Sequence, residues 1–189
     1  MTSTNTLHIE IAPPLDHPEM RALYEYWVEL GVQANGLPNI QDFDPLRLPG
    51  ILPNVWLLEV EPVSHRFRIR LAGENINAIY GRNIGRQFFA DVFDAVDVAT
   101  IVARYGRSLA EPAVFYATGN VYAAAGRLCV GERLGLPMLG RSGCTDTLLG
   151  ATLYGGYVDK DATVTATGDS ARFFGVRAPN HVRVQIVGP

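Results

Sequence analysis

The sequence predicts an α+β domain in which a continuous antiparallel sheet carries helices across one face. Strand-like segments come in groups joined by short turns, two before and three after a block of short helices. A single antiparallel sheet accommodates that order, whereas parallel crossover folds fit it less well. The chain has 189 residues, of which 48% are hydrophobic and 19% are charged, a composition typical of a globular protein with a sizeable core.

The first predicted element is an amphipathic helix that follows an arm formed by residues 1–16. The run Asp16-His17-Pro18-Glu19 predicts the helix start, with Asp16 accepting backbone N–H bonds, and Gly31 and Gly36 predict its end. Apolar side chains recur at helical spacing along one side of it: Met20, Leu23, Tyr24, Trp27 and Val28.

This apolar stripe either covers a sheet or pairs with another subunit, and covering is the commoner case. Tyr24 and Trp27 would leave a large apolar patch if nothing covered them. The stripe is therefore also our predicted homodimer interface, made by Met20, Leu23, Tyr24, Trp27 and Val28.

The next predicted elements are two strands that form a hairpin. Residues 55–61 are mostly apolar and so predict a central strand, and residues 62–65 form the turn. In the second strand Arg66, Arg68 and Arg70 alternate with Phe67, Ile69 and Leu71, which predicts one face in solvent and one in the core.

A helical block and three further strands complete the predicted sheet. Residues 73–93 contain short helical turns separated by Gly81 and Gly85, and residues 93–109 predict a longer amphipathic helix. The last three strands are expected at residues 113–118, 128–138 and 147–158. The tail beyond them is less patterned, although Phe173-Phe174 and residues 182–187 could add a strand or pack against a partner.

Several segments together resemble a known family. They are HPEMRALYEYW, DFDPLRLPGILPNVWLLEVE, FRIRLAGENINAIYGRNIGRQFFADVF and LLGATLYGG. In order and spacing the chain resembles the PAS_5-type family of bacterial PAS-like proteins over residues 17–158. The resemblance implies a PAS-like five-stranded antiparallel sheet with a helical insert between strands 2 and 3, to which the N-terminal amphipathic helix is added. Residues 1–16 would then be an arm and residues 159–189 a C-terminal extension.

One motif bears on possible cofactors. Gly81-Arg82-Asn83 is similar to the flavin-binding signature of light-sensing PAS domains, in which a reactive cysteine comes next. Ile84 stands in that position and cannot attack the flavin ring, and Cys129 and Cys144 lie in or beyond later strands. We therefore interpret the motif as a structural turn and predict no flavin.

We also predict no haem and no metal site. Haem-binding PAS domains typically supply an axial histidine from the long helix, and residues 93–109 contain no histidine. The four histidines of the chain, His8, His17, His65 and His181, fall in arms, turns or helix starts and do not cluster in sequence.

A small-molecule pocket between the helical block and the sheet is the more credible site. The candidate ligand-binding residues are Asn75, Asn77, Tyr80, Arg86, Phe89, Phe93, Tyr105 and Tyr116. The alternative is that these aromatic rings fill the core while the polar groups satisfy backbone ends. Arg70 and Arg86 would be the counter-ions of a carboxylate ligand, or else ordinary surface residues.

The resemblance implies a non-catalytic sensory module. We expect it to bind a small ligand, a signalling protein partner, or both, and to form a homodimer. Neither a nucleophile elbow nor a phosphate-binding loop occurs. The alternative is a small cone-type α+β enzyme of the isomerase or dehydratase kind, which would need an acid–base pair deep in its pocket. A third interpretation is an interaction domain with a filled core.

The composition bears on partners and location. The formal net charge of −3 does not favour a nucleic acid or an anionic membrane surface as partner. No apolar run approaches the length of about 18 residues that a bilayer span needs. The first residues lack the pattern of a signal peptide. We therefore expect a cytoplasmic protein.

Overall fold

The structure is a computed structural model that describes residues 7–93, 95–124, 127–159 and 170–187. Within them lies a sheet of seven strands in the order β1-β7-β4-β5-β6-β2-β3, with every neighbouring pair antiparallel. Its strands are β1 His8–Ile9, β2 Val55–Val60, β3 Phe67–Ala72, β4 Ala113–Ala124, β5 Arg127–Met138, β6 Thr147–Asp159 and β7 Ser170–Arg177.

Among the described residues, three α-helices accompany the sheet. They are α1 Pro18–Ala34, α2 Glu74–Tyr80 and α3 Ala95–Ala110. Single turns of 3₁₀ helix lie at Ile40–Asp42, Pro45–Arg47, Leu52–Asn54 and Phe89–Asp91. The helical block therefore interrupts the strands after the β2–β3 hairpin, where the sequence placed it.

The predicted count of five strands is wrong, because two more strands extend the sheet beyond β4. Strand β7 pairs with the first half of β4, and the two-residue β1 pairs with β7 in turn. Phe173 packs into the core on one face of the sheet and Phe174 into the core on the other. Val176 is the buried residue of β7, and the other residues of this strand are exposed or only partly buried, which explains why it lacks the strong apolar pattern of a central strand.

Helix α1 differs at both ends from its prediction. Its N-cap is His17 rather than Asp16, and the His17 ring accepts a hydrogen bond from the backbone N–H of Glu19. The helix runs through Gly31 and ends at Ala34; its C-cap Asn35 adopts the left-handed conformation and lies just before Gly36, the other predicted stop. Gly31 is buried, and a Cβ there would lie 2.5 Å from a methyl group of Leu7. Its small size thus admits the N-terminal arm instead of ending the helix.

The stripe on α1 packs against the chain's own sheet. Met20, Leu23 and Trp27 are at most 1% exposed. The indole N–H of Trp27 donates to the carbonyl of Pro137 on β5 at 3.0 Å, and Tyr24 and Val28 pack half-buried against the same cluster. The apolar patch that motivated a homodimer interface is therefore covered within the chain, so that reason for the interface does not hold. Homodimerisation itself stays a prediction.

A β-bulge redirects the end of β3. Leu58 pairs with Ile69 but Leu57 pairs with Leu71, so Arg70 is an extra residue on this strand. Leu71 consequently faces solvent with 47% of its surface exposed. Ala72 turns to the inner face, by which we mean the face of the sheet that packs against the helical block and α3. The predicted shared face of Phe67, Ile69 and Leu71 is thus wrong at Leu71, because the simple alternation holds only where no bulge intervenes.

The described end of the chain crosses the domain instead of leaving it. The Asn180 side chain bonds both the N–H and the carbonyl of Leu37, at 2.7 and 2.9 Å. Ile186 packs beside Gly106 of α3, and the N–H of Val187 donates to His65. We call residues 178–187 the C-terminal strap. Among the described helices, none has both the length and the apolarity to cross a membrane.

Candidate functional site: a cavity on the inner face of the sheet

The helical block and α3 form a partly open cavity of about 250 Å³ against the inner face of the sheet. Its described lining residues come from seven parts of the chain: Trp56, Leu58, Ile69, Ala72, Ile76, Tyr80, Ile84, Phe89, Phe93, Asp97, Thr100, Ile101, Arg104, Tyr105, Asn120, Val121 and Arg133.

One half of the cavity is apolar. Its walls come from β2, β3, α2 and residues 84–93, and apart from the hydroxyl of Tyr80 they present carbon atoms and the indole of Trp56. The indole N–H of Trp56 donates to Thr152 at 3.0 Å. The aromatic rings are held by each other, with the centroids of Phe89 and Phe93 5.4 Å apart and perpendicular.

The other half is polar and is built by α3, β4 and β5. Asp97, Thr100 and Arg104 follow one another on a single side of α3, since side chains three or four residues apart share a helix face. Asn120 comes from β4 and Arg133 from β5. Tyr105 lies on the same helix at the boundary, with its ring centroid 5.4 Å from that of Trp56.

Neutral acceptors on three elements orient the Arg133 guanidinium. Its Nε donates to Thr152 Oγ1 at 3.1 Å, its Nη1 to the hydroxyl of Tyr105 at 3.4 Å, and its Nη2 to the carbonyl of Val121. Thr152 is completely buried. These three bonds set the plane of the guanidinium, which makes Arg133 a pre-oriented cation beside the cavity.

Comparison with known families identifies this architecture. A family model described as a PAS domain, PAS_5, matches residues 15–153. The chain belongs to the PAS domain family. Domains of this family are generally non-catalytic and of the sensory or signalling type. Searches of curated proteins and of solved structures found no match.

The PAS cavity contains four of the eight residues predicted to bind a ligand. Tyr80, Phe89, Phe93 and Tyr105 line it. Asn75 does not, because it is exposed and bonds Asn54 at 3.0 Å.

Asn77, also predicted as a ligand contact, has a structural role, because its side chain hydrogen-bonds backbone groups on both sides of α2. Its amide nitrogen donates to the carbonyl of Ala72 at 2.9 Å, and its oxygen accepts from the N–H of Ile84 at 3.0 Å. Both polar ends of the side chain thus satisfy backbone groups, as the alternative interpretation of this residue held.

Arg86 and Arg70, the predicted counter-ions, lie outside the cavity. Arg86 is exposed in a left-handed backbone conformation, with φ of 68°. Arg70 forms a surface ion pair with Glu59 at 2.8 Å. Among the described lining residues of the cavity, the arginines are instead Arg104 and Arg133.

Tyr116 lies on the opposite face of the sheet, in the cluster beneath α1. Its hydroxyl donates to Glu132 at 3.2 Å. Burial, together with the negative charge of Glu132, raises the pKa of Tyr116 to about 12. The side chain is a core residue and not a ligand contact.

The sequence did contain a signal for the missed arginines. Arg104 falls within the otherwise apolar face of α3 that carries Ile101 and Tyr105, and Arg133 falls in a strand that continues into buried residues. A charge on a face that is otherwise destined for the core marks either a buried pair or a site. Trp56, by contrast, gave no sign of lining a cavity rather than filling one.

The Gly81-Arg82-Asn83 motif forms a turn, as interpreted from the sequence. Gly81 ends α2 in the left-handed conformation, with φ of 62°. The side chain of Asn83 accepts from the N–H of Gly85 at 2.8 Å. Ile84, at the position of the photoreceptor cysteine, is buried in the cavity wall.

Among the described lining residues, Asp97 and the hydroxyls of Tyr80 and Tyr105 are the groups from which the acid–base pair of an enzyme could be built. None of the four histidines lines the cavity, and Asp97, the carboxylate among its described lining residues, is exposed. Within the described ranges, no three His, Cys, Asp or Glu side chains are grouped so that they could hold a metal ion.

Proposed function

We propose that this PAS domain is a sensory module that binds a small molecule in the cavity and passes the binding event to a signalling protein partner. The observation that supports the proposal most is the cavity itself, with a buried aromatic half and a structured polar half. Ligand sites combine these features, because apolar walls supply affinity and a few placed polar groups supply orientation.

The volume of the cavity indicates how much of a ligand its walls would surround. An apolar cavity of about 150 Å³ admits benzene, so the 250 Å³ of this cavity would hold a ligand of on the order of ten non-hydrogen atoms. The walls would surround only part of a flavin or a haem, and we propose neither as a cofactor.

Helix α3 offers a route from the cavity to a partner. It contributes Asp97, Thr100 and Arg104 to the cavity wall, while its Gly106 lies against Ile186 of the C-terminal strap. A ligand that moves α3 would therefore change the packing of the strap, which lies partly exposed on the surface.

A fragment screen on the full chain tests the proposal. We expect ligand-observed NMR to find small fragments that bind the wild type and lose binding in Ala72→Phe, because the new ring would occupy the cavity. Leu71→Phe is the matched control, since the neighbouring side chain faces solvent. Both variants would first be checked for folding by circular dichroism.

Two outcomes would contradict the proposal. Fragments that bind Ala72→Phe as tightly as wild type would place the ligand site elsewhere. A wild-type chain that binds no fragment would favour an interaction domain with no ligand.

A further inference from the structure

Polar and apolar groups of the cavity wall come from different elements. The apolar walls come from β2 and β3 with the helical block, and the charged side chains come from α3 and β5. In the sheet, β6 separates β5 from β2, so the two backbones lie roughly 10 Å apart, and the Arg133 and Trp56 side chains meet between them at Thr152 Oγ1. A ligand that fills this space has an apolar body and one polar end.

The charged end is positive on balance. Among the described residues of the cavity wall, Arg104 and Arg133 contribute two guanidinium groups and Asp97 contributes one carboxylate. The hydrogen bonds from Arg133 to Thr152, Tyr105 and Val121 hold its guanidinium in one orientation beside this end.

We infer that the ligand is a small organic carboxylate with an aromatic or branched apolar body. Its carboxylate would face Arg104 and Arg133, and its apolar body would lie against Trp56 and Phe89. Guanidinium groups suit a carboxylate because their N–H donors match its two oxygen atoms. This inference rests on the proposed function, of which it specifies the ligand class.

The test compares three probes of about the same size and shape: phenylacetate, its neutral analogue phenylacetamide, and the cation phenethylamine. Titration calorimetry on the full chain is expected to show phenylacetate binding about tenfold or more tighter than phenylacetamide, since hydrogen bonds to charged groups contribute that much. Added salt should reduce the difference.

A pair of variants in α3 tests whether Arg104 recognises the carboxylate of the ligand. Arg104→Gln should lower the affinity for phenylacetate about tenfold while leaving that for phenylacetamide unchanged. Arg107→Gln is the matched control, because Arg107 is one turn along the same helix but stacks on Phe173 outside the cavity. It should leave both affinities as they are.

The outcomes separate this inference from the proposed function. If phenylacetamide or phenethylamine binds as tightly as phenylacetate, the carboxylate assignment is overturned although the cavity still binds ligands. The assignment is also overturned if none of the three probes binds while other fragments do so and are lost in Ala72→Phe. If no fragment of any kind binds, the proposed function fails, and this inference with it.

Discussion

At the scale of single residues, strand alternation decides which side chains reach the cavity. Arg133 and Leu134 are neighbours on β5, yet Arg133 lines the cavity and Leu134 lies in the cluster beneath α1. Tyr116 pairs with Leu134 and lies on the same outer face. Finding an aromatic or charged residue in a strand therefore does not predict a site residue by itself. The face of the sheet to which that side chain points must also be known.

The position of Tyr116 predicts a pH dependence of stability. Its pKa rises from 10.0 to about 12 on folding, so between these values the folded state holds a proton that the unfolded state releases. The free energy of unfolding should be independent of this group below pH 10 and fall as the pH rises from 10 towards 12.

Tyr116→Phe provides the comparison. At neutral pH the variant should be about 1 kcal/mol less stable, because it loses the hydrogen bond to Glu132. Above the ordinary pKa of tyrosine the wild type should lose this advantage, as measured by urea unfolding at a series of pH values. A difference that stays constant over the alkaline range would show that the tyrosine is not held in its protonated form.

At the scale of elements, the apolar stripe of α1 was compatible with two predictions, burial against the sheet and pairing with another subunit. A stripe of large apolar residues at helical spacing indicates that the helix face is buried, but the spacing carries no information on what buries it. Strand β5 buries this face of α1. The carbonyl of Pro137 accepts the hydrogen bond from the Trp27 indole, and buried leucines of β5 pack in the same cluster.

Trp27→Ala tests this docking. We expect a loss of about 3–5 kcal/mol in the free energy of unfolding, because the substitution leaves a cavity between helix and sheet. Val32→Ala on the same helix is the control, since Val32 is 55% exposed and its truncation should change stability by less than about 0.5 kcal/mol. Sedimentation at several concentrations would be run in parallel. A small effect of Trp27→Ala, with weakened self-association, would restore the stripe as a subunit interface.

At the scale of the whole molecule, the strap ties together parts of the chain that are far apart in sequence. The Asn180 side chain hydrogen-bonds the backbone of Leu37, just after α1. The side chains of Thr145 and His181 form a hydrogen bond of 2.8 Å. The strap then passes α3 and reaches the β2–β3 turn at His65. These contacts extend the folded unit beyond the matched residues 15–153.

Asn180→Ala should therefore destabilise the whole domain. Leu37 is fully buried, and the variant leaves its N–H and carbonyl without their partner, at a cost of about 2–4 kcal/mol. Gln185→Ala on the exposed side of the strap should have little effect. Urea unfolding followed by tryptophan fluorescence provides the measurement. Equal stability of the two variants would mean that the strap is not part of the cooperative unit.

The sequence by itself determined the order of the elements, the amphipathic nature of α1 and the place of the helical block, because each depends on residues close together in the chain. It also led to four of the cavity residues, since Tyr80, Phe89, Phe93 and Tyr105 lie on the predicted inner faces of the helical block and α3. The turn at Gly81 was likewise evident, because only local backbone conformation is involved.

Tertiary structure alone decided the rest. The bulge at Arg70 places Ala72 on the inner face of the sheet. Strand pairing places Arg133 beside Thr152, and β7 pairs with β4. Each of these depends on contacts between residues distant in sequence, and a shift of one residue in register exchanges the two faces of a strand. Local patterns cannot report such a shift, so the charged end of the cavity became visible only once the sheet was assembled.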